Sequence, residues 1–183
     1  MCNIFLFRNK SKTLLILLSL LIFSACRVQK NYTVSTVNQK LVIDGRLNRE
    51  QLNVLVKENW LTNNYTSYRP DNSIYKNLVQ TDFDSLSFII FAGSWCSDTK
   101  LELPRFLKVI DTLNLGKNPM DIYFLDLNKK SKFVTPSVYN ILLVPTFLIL
   151  HAGKEIGRIE ETPKESIEKD VLQILHSKHW ISV

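Results

Sequence analysis

The sequence predicts an α/β fold in which strands and helices alternate along the chain. Leu86–Ala92 is apolar at all but one position, the pattern of a central strand that is buried on both faces. Apolar residues recur at helical spacing in residues 97–113, directly after this strand. Residues 146–150 and 155–159 have strand patterns and flank Ala152-Gly153, which predicts a hairpin. Such an alternation is typical of a sheet covered by helices.

Before the central strand, the sequence predicts one short strand and one helix. Residues 41–43 are apolar and are followed by Asp44-Gly45, a turn signal that ends the strand. Asn48 is suited to capping a helix because its side chain can accept a backbone N–H, and Gln51 stands where a capping box has its second member. Apolar residues at helical spacing then continue the helix to Trp60.

A loop is predicted after this helix. Residues 62–73 contain two adjacent asparagines and an Arg-Pro-Asp sequence, which are turn and loop signals. Tyr65 and Tyr68 in this loop either line a substrate surface or pack the loop onto the domain.

The remaining elements follow in the last third of the chain. Residues 120–127 have a strand pattern, and residues 134–139 predict a short helix that ends in a left-handed cap at Asn140. Thr162 is the predicted N-cap of the final helix, and Glu165 completes its capping box.

The candidate reactive site is the segment Trp95-Cys96-Ser97-Asp98-Thr99-Lys100, which joins the central strand to the next helix. Cys96 is therefore placed at or just before a helix N-terminus. Unpaired backbone N–H groups and the positive end of the helix dipole favour a thiolate there. Because the thiolate is the reactive form of cysteine, Cys96 is a candidate nucleophile.

The spacing of Trp95, Cys96, Lys100 and Pro104 resembles that of the thioredoxin family, in which Trp-Cys-x-x-Cys follows the central strand and a proline lies later in the same helix. Residues 139–146, which end in Val-Pro-Thr, resemble the stretch that leads to the cis-proline of that family. The resemblance implies a thioredoxin-like fold with a central mixed β-sheet flanked by helices.

The start of the chain is organised as a secretory signal. In residues 1–25, three basic residues precede an uncharged stretch that is too short to span a membrane, and Ser24-Ala25-Cys26 resembles a bacterial lipobox. That resemblance implies a lipid on Cys26; an ordinary cleaved signal and an uncleaved anchor are the alternatives. We predict that residues 26–40 are a tether and that residues 41–183 are the thioredoxin-like domain, with an insertion at about 61–85.

The family resemblance also assigns roles to individual residues. Cys96 takes the position of the nucleophile. The backbone of Val144 takes the position that pairs with a substrate chain like an added strand, before a cis-peptide bond to Pro145. Trp95 and Thr146 complete the predicted substrate-binding surface.

One departure from the family changes the expected mechanism. Thr99 stands where the family has its second cysteine, so its hydroxyl can only donate a hydrogen bond to the Cys96 thiolate. Ile90 stands where the family has a buried acid that assists the second cysteine. If Cys2 is removed with the leader and Cys26 carries lipid, Cys96 is the single free thiol. The sequence thus indicates a monothiol variant, Trp-Cys-x-x-Thr.

Charge and histidine content argue against other classes of function. The net charge is +6, but three of the basic residues lie in the leader and no run of five basic residues occurs, so nucleic-acid binding is not predicted. His151, His176 and His179 are not at metal-ligand spacing with Cys96. We therefore predict neither a metal site nor a cofactor.

Two functions fit these patterns. The first is a thiol-disulfide oxidoreductase that is tethered to a membrane of the bacterial envelope, faces the periplasm and acts through Cys96. Its partners would be protein or small-molecule disulfides and thiols, with an external thiol as reductant. The alternative is a non-enzymatic thioredoxin-fold module that holds an envelope protein. Rapid alkylation of Cys96 in the native protein would favour the first.

Overall fold

The computed structural model of the protein describes residues 30–56, 59–71 and 83–177. The predicted leader and Cys26 lie outside these residues. Within them, six strands are β1 (Tyr32–Val37), β2 (Lys40–Leu47), β3 (Leu86–Ala92), β4 (Met120–Phe124), β5 (Thr146–His151) and β6 (Lys154–Glu160). The helices are α1 (Arg49–Leu55), α2 (Trp60–Ser67), α3 (Ser97–Thr112) and α4 (Ile167–His176), with a 3-10 helix at Pro136–Tyr139. No helix in the described part of the chain has the length and apolar character needed to cross a membrane.

The six strands form one mixed sheet in the order β1-β2-β4-β3-β5-β6. β3 pairs with β4 in parallel, whereas the other neighbouring strands are antiparallel. The predicted α/β fold with a central mixed sheet is therefore confirmed, and β3 is the central strand that the apolar run indicated.

Two apolar clusters lie on opposite faces of this sheet because successive side chains of a strand alternate between its faces. The larger cluster includes Phe88, Phe106 and Phe147, which join β3, α3 and β5. The second cluster contains Phe91, Leu125, Ile141, Val144 and Leu148, and Trp95 and Cys96 pack against it. The candidate nucleophile thus lies beside a buried cluster at the carboxyl end of the central strand.

The predicted tether was wrong over part of its length, because β1 occupies residues 32–37 and pairs with β2. All but the first of the β1 side chains are exposed, so the strand leaves no pattern of buried and exposed residues in the sequence. β2 also continues through Asp44-Gly45 instead of turning there. A Cβ on Gly45 would lie 2.2 Å from the carbonyl oxygen of Asn31, so the glycine allows β1 to approach β2.

The β1–β2 hairpin extends beyond the rest of the sheet. Gly45 pairs with Phe124, the last residue of β4, and Phe124 pairs in turn with Ala92 at the end of β3. Residues 40–44 therefore continue past the carboxyl ends of both strands. At the usual rise per residue they add about 17 Å. The hairpin thus stands beside the loop that carries Cys96.

The predicted loop at residues 62–73 was wrong in its first half, which forms α2. The helix is held by contacts that are distant in sequence: the Tyr65 hydroxyl donates to Asp111 Oδ2 at 2.7 Å, and the Tyr68 hydroxyl donates to Glu168 Oε2 at 2.5 Å. Burial and the Glu168 carboxylate raise the pKa of Tyr68. Both tyrosines therefore pack this region onto the domain, as one of the two alternatives proposed.

The start of α4 also differs from the prediction. Its N-cap is Ser166, whose Oγ accepts the Lys169 N–H at 3.3 Å, instead of Thr162. The Asp170 carboxylate accepts the backbone N–H groups of Lys164 and Glu165, which holds these residues outside the helix. The side-chain N-cap thus lies four residues later than predicted, and Lys169 at the third helical position cannot complete a capping box because its side chain has no acceptor.

Candidate active site

Cys96 is the N-cap residue of α3, as its sequence position predicted. Its backbone is extended (φ −87°, ψ 131°), and its carbonyl accepts the Lys100 N–H at 3.2 Å in the first turn of the helix. The side chain is partly exposed. Its Sγ lies 3.3 Å from the carbonyl oxygen of Val144, to which the thiol donates a hydrogen bond. The thiol therefore belongs to a partly exposed residue and is directed at Val144.

Val144, Pro145 and Thr146 form the opposite side of the site. The Val144–Pro145 peptide bond is cis, as the resemblance implied. Thr146 is fully buried, and its hydroxyl donates to the Leu143 carbonyl oxygen at 2.8 Å. The side chain of Val144 is buried in the second apolar cluster, so its carbonyl group is directed at Cys96 from a rigid support.

Two cationic side chains that sequence patterns did not indicate hold the segment before Val144. Arg158 Nη1 of β6 donates to the Tyr139 carbonyl oxygen at 3.2 Å. Lys129 Nζ donates to the Leu142 carbonyl oxygen at 2.8 Å. Asn140 between them has the predicted left-handed conformation, at φ 54° and ψ 42°.

Trp95 is positioned by its ring nitrogen and by a glycine. Its Nε1 donates to the Leu125 carbonyl oxygen at 3.0 Å, which directs the indole towards the end of β4. A Cβ on Gly93 would lie 2.8 Å from the indole ring, so only glycine allows this packing. The indole therefore borders Cys96 on the side of the loop after β4.

Thr99 is fully buried one turn into α3, and its Oγ1 accepts the Gly93 N–H at 3.1 Å. The predicted hydrogen bond from Thr99 to Cys96 is not among the contacts of the described residues, because the Cys96 sulfur is directed at Val144 instead. Thr99 thus fixes the loop that precedes the nucleophile. Ile90 is fully buried, so the corresponding interior position is apolar.

Ser94 is a structural residue of the site that the sequence did not reveal. Its Oγ accepts the Ile43 N–H at 2.9 Å and donates to the Leu41 carbonyl oxygen at 2.7 Å. The Ser94 hydroxyl thereby bonds the backbone of β2 in the part of that strand that extends beyond β4 and, within the described residues, has no pairing strand on that side. This buried hydroxyl joins the β1–β2 hairpin to the loop two residues before Cys96.

Titratable groups near the helix start include one buried acid. Glu102 is almost fully buried, and its carboxylate pairs with Arg105 at 3.0 Å. Burial raises the pKa of Glu102 more than the Arg105 guanidinium lowers it. In the described residues, no three His, Cys, Asp or Glu side chains are grouped as a metal site. His151 pairs with Leu86, at the end of β3 opposite Cys96.

A model of a known protein family matches more than half of the chain. The family is described as Thioredoxin, and the match covers residues 67–173. The chain belongs to the thioredoxin family. The matched range begins at the end of α2, so the β1–β2 hairpin and α1 lie outside it.

Its similarity to individual thioredoxins is low. It is 28% identical over 91 residues to thioredoxin H2 of Arabidopsis thaliana, a match that spans 50% of this chain and 64% of the relative. To thioredoxin H2-1 of Oryza sativa it is 27% identical over 86 residues, which span 47% of this chain and 58% of the relative. The matches thus cover a little under two thirds of these two relatives.

Two solved thioredoxin structures also show similarity to the chain. Fasciola hepatica thioredoxin has 17% sequence identity and a TM-score of 0.36, over 48% of this chain and 80% of that one. The reduced Schistosoma mansoni thioredoxin pre-protein has 22% identity and a TM-score of 0.37, over 59% of this chain and 94% of that one.

Proposed function

We propose that this protein is a monothiol oxidoreductase of the thioredoxin family, tethered by lipid to a membrane of the bacterial envelope and facing the periplasm. The observation that carries the proposal is the placement of Cys96. The residue is half-buried at the N-terminus of α3, and its sulfur lies 3.3 Å from the carbonyl oxygen of Val144. Membership of the thioredoxin family supports thiols and disulfides as the general class of substrate.

The proposed exchange uses one protein thiol. The Cys96 thiolate attacks one sulfur of a substrate disulfide, so that a Cys96–substrate disulfide forms and the substrate disulfide breaks. The other substrate sulfur leaves as a thiolate and takes a proton from water. An external low-molecular-weight thiol then attacks the mixed disulfide as its thiolate. Cys96 leaves as a thiolate, and the substrate carries away a disulfide to the external thiol.

The need for the external thiol follows from residue 99. In a dithiol mechanism a second thiolate near Cys96 breaks the mixed disulfide from within the protein. Thr99 occupies that position, and its oxygen already accepts the Gly93 N–H. A hydroxyl cannot displace a disulfide, so the adduct is expected to persist until another molecule resolves it.

Val144 supplies the proposed alignment of substrate. Its carbonyl oxygen accepts the thiol hydrogen in the free protein. Loss of that hydrogen on forming the thiolate frees the carbonyl oxygen to accept an N–H from an extended substrate chain. Trp95 borders the reacting sulfur on one side, and the buried Pro145 and Thr146 support the Val144 backbone on the other.

The test is adduct formation with dithiodipyridine, a small neutral disulfide. Peptide mapping of the full chain is expected to find a thiopyridine group on Cys96, whereas Cys96→Ser is expected to carry none at that position. Circular dichroism verifies that both proteins are folded. A folded wild type that leaves Cys96 unmodified would refute the enzymatic proposal and favour the module that holds an envelope protein partner without exchange.

The lipid anchor on Cys26 requires a separate test. The basic start of the leader, its apolar stretch and Ser24-Ala25-Cys26 support it. Protein extracted from bacterial membranes should have the mass of a chain that begins at a lipidated Cys26. Cys26→Ser should release the protein from membranes, whereas Cys2→Ser should not. An unmodified N-terminus at another residue would contradict this assignment.

A further inference from the structure

The loop after β4 and the segment before Val144 expose apolar and basic side chains together. We call this surface the rim of the site, and it consists of Leu127, Lys129, Lys130, Lys132, Phe133 and Leu142. Leu142 is 77% exposed, Phe133 39% and Leu127 38%. Large apolar side chains at such exposure are candidates for contact with another molecule when they lie together.

Hydrogen bonds hold the backbone of the loop that contains five of the six rim residues. Asp126 Oδ1 accepts the backbone N–H groups of Asn128 and Lys130, each at 2.9 Å. The Lys132 N–H is bonded to Asp44 Oδ2 of the hairpin at 3.3 Å. These bonds fix the backbone of the loop, so the lysine side chains extend from defined positions.

The rim is continuous with the candidate active site at both of its ends. Trp95 Nε1 is bonded to the carbonyl oxygen of Leu125, two residues before Leu127. Lys129 Nζ is bonded to the carbonyl oxygen of Leu142, two residues before Val144. A substrate chain that pairs with the Val144 backbone next to Cys96 would therefore lie beside the rim.

The exposed charged side chains of the rim are positive. Lys130 and Lys132 are exposed, and neither makes an ion pair within residues 30–56, 59–71 and 83–177. The acids that accept backbone N–H groups of this loop are less exposed than the two lysines, since Asp126 is half-buried and Asp44 is buried. Asp98 on α3 is the nearest acid in sequence to Cys96, on the other side of the nucleophile. The rim is thus a basic surface interspersed with apolar side chains.

We propose that the rim binds polypeptide substrates whose reactive cysteine is flanked by acidic and apolar residues. The proposal rests on the exchange reaction proposed for Cys96 and names its substrate class. Acidic side chains would be attracted by Lys130 and Lys132, and apolar side chains would cover Leu127, Phe133 and Leu142. A small disulfide is too short to reach these residues, so the rim discriminates in favour of extended protein segments.

The effect of substrate charge is tested with peptides that contain one cysteine. The cysteine of each peptide is linked to thionitrobenzoate by a disulfide bond. Attack by Cys96 on the peptide sulfur releases the coloured thionitrobenzoate anion. At low ionic strength, an acidic-apolar peptide should react with the full-length protein about tenfold faster than a basic-apolar peptide of equal length. At about 1 M salt the difference should largely disappear, because exposed charges are then screened within about 3 Å.

Charge reversal identifies the residues responsible. Lys130→Glu/Lys132→Glu should invert the preference between the two peptides and leave the rate with dithiodipyridine within about twofold. Lys117→Glu/Lys154→Glu is the matched control, since both lysines are exposed and lie near the opposite ends of the strands. Retention of the preference in the first variant, or its inversion in the control, would overturn the proposal.

The apolar part of the rim is tested by comparing an acidic-apolar with an acidic-polar peptide. Leu142→Ser should lower the ratio of their rates several-fold, because the exposed leucine side chain loses its apolar contact. An unchanged ratio of rates would show that Leu142 does not contact the bound peptide. If the wild type reacts with dithiodipyridine but shows no peptide preference, the proposal that the rim binds substrates is refuted and the exchange reaction stands. A wild type that reacts with neither refutes the exchange reaction itself.

Discussion

Replacing Thr99 by cysteine is expected to shorten the lifetime of a Cys96 adduct by about a hundredfold or more in the absence of added thiol. Residue 99 lies one helical turn after Cys96, so the new thiol would be held beside the mixed disulfide. Attack within one molecule has a very large effective concentration compared with that of a dissolved thiol. The products would be an internal disulfide between Cys96 and the introduced thiol, and a released substrate thiol.

The measurement is the decay of the adduct on non-reducing gels after the excess disulfide is removed. Thr99→Ser is the matched control, because it retains the hydroxyl that accepts the Gly93 N–H and adds no thiol. Sulfur is a weak acceptor, so Thr99→Cys should also lose about 1–2 kcal/mol of stability. Equal adduct lifetimes in wild type and Thr99→Cys would show that position 99 cannot reach the mixed disulfide.

Truncation of Phe106 to alanine is expected to cost about 3–5 kcal/mol of unfolding free energy. The Phe106 ring on α3 is stacked on Phe147 of β5, with centroids 4.4 Å apart, and meets the edge of Phe88 of β3 at 5.9 Å. All three rings are buried. Removing the middle ring leaves a cavity between the helix that begins at Cys96 and the two strands that border the site.

Urea denaturation of wild type and Phe106→Ala measures this loss. Leu101→Ala on the same helix is the control, because that side chain is exposed and its loss should change stability by no more than about 0.5 kcal/mol. A domain with a total stability of about 5–15 kcal/mol could unfold on losing Phe106, so Phe106→Leu provides a milder second variant. A cost below about 1 kcal/mol for Phe106→Ala would mean that the cluster repacks around the gap.

Features of the site that depend on local sequence could be predicted. The position of Cys96 follows from an apolar strand directly before a helical pattern, and the helix dipole acts wherever that boundary lies. The left-handed conformation of Asn140 likewise depends on the end of a short helix. The cis bond before Pro145 was predictable only from the family resemblance, because a proline in the sequence does not by itself specify that isomer.

Features that depend on contacts distant in sequence could not be predicted. α2 is rich in Asn, Thr and Ser, which favour loops, and it is held by Asn64 Nδ2 on the Lys100 carbonyl oxygen and by its tyrosine contacts. Ser94 has no local partner that would reveal its two bonds to β2. Tertiary hydrogen bonds of this kind override local propensity and leave no periodic pattern.

The early start of β1 limits how far the domain can move from the proposed lipid anchor. A linker from Cys26 to residue 40 could extend about 50 Å, but β1 already begins at Tyr32. The remaining linker spans at most about 20 Å even when fully extended. Cys96 would then encounter disulfides only in the thin layer of solution next to the membrane. A soluble substrate would have to enter that layer, whereas a membrane-bound substrate would already be concentrated within it.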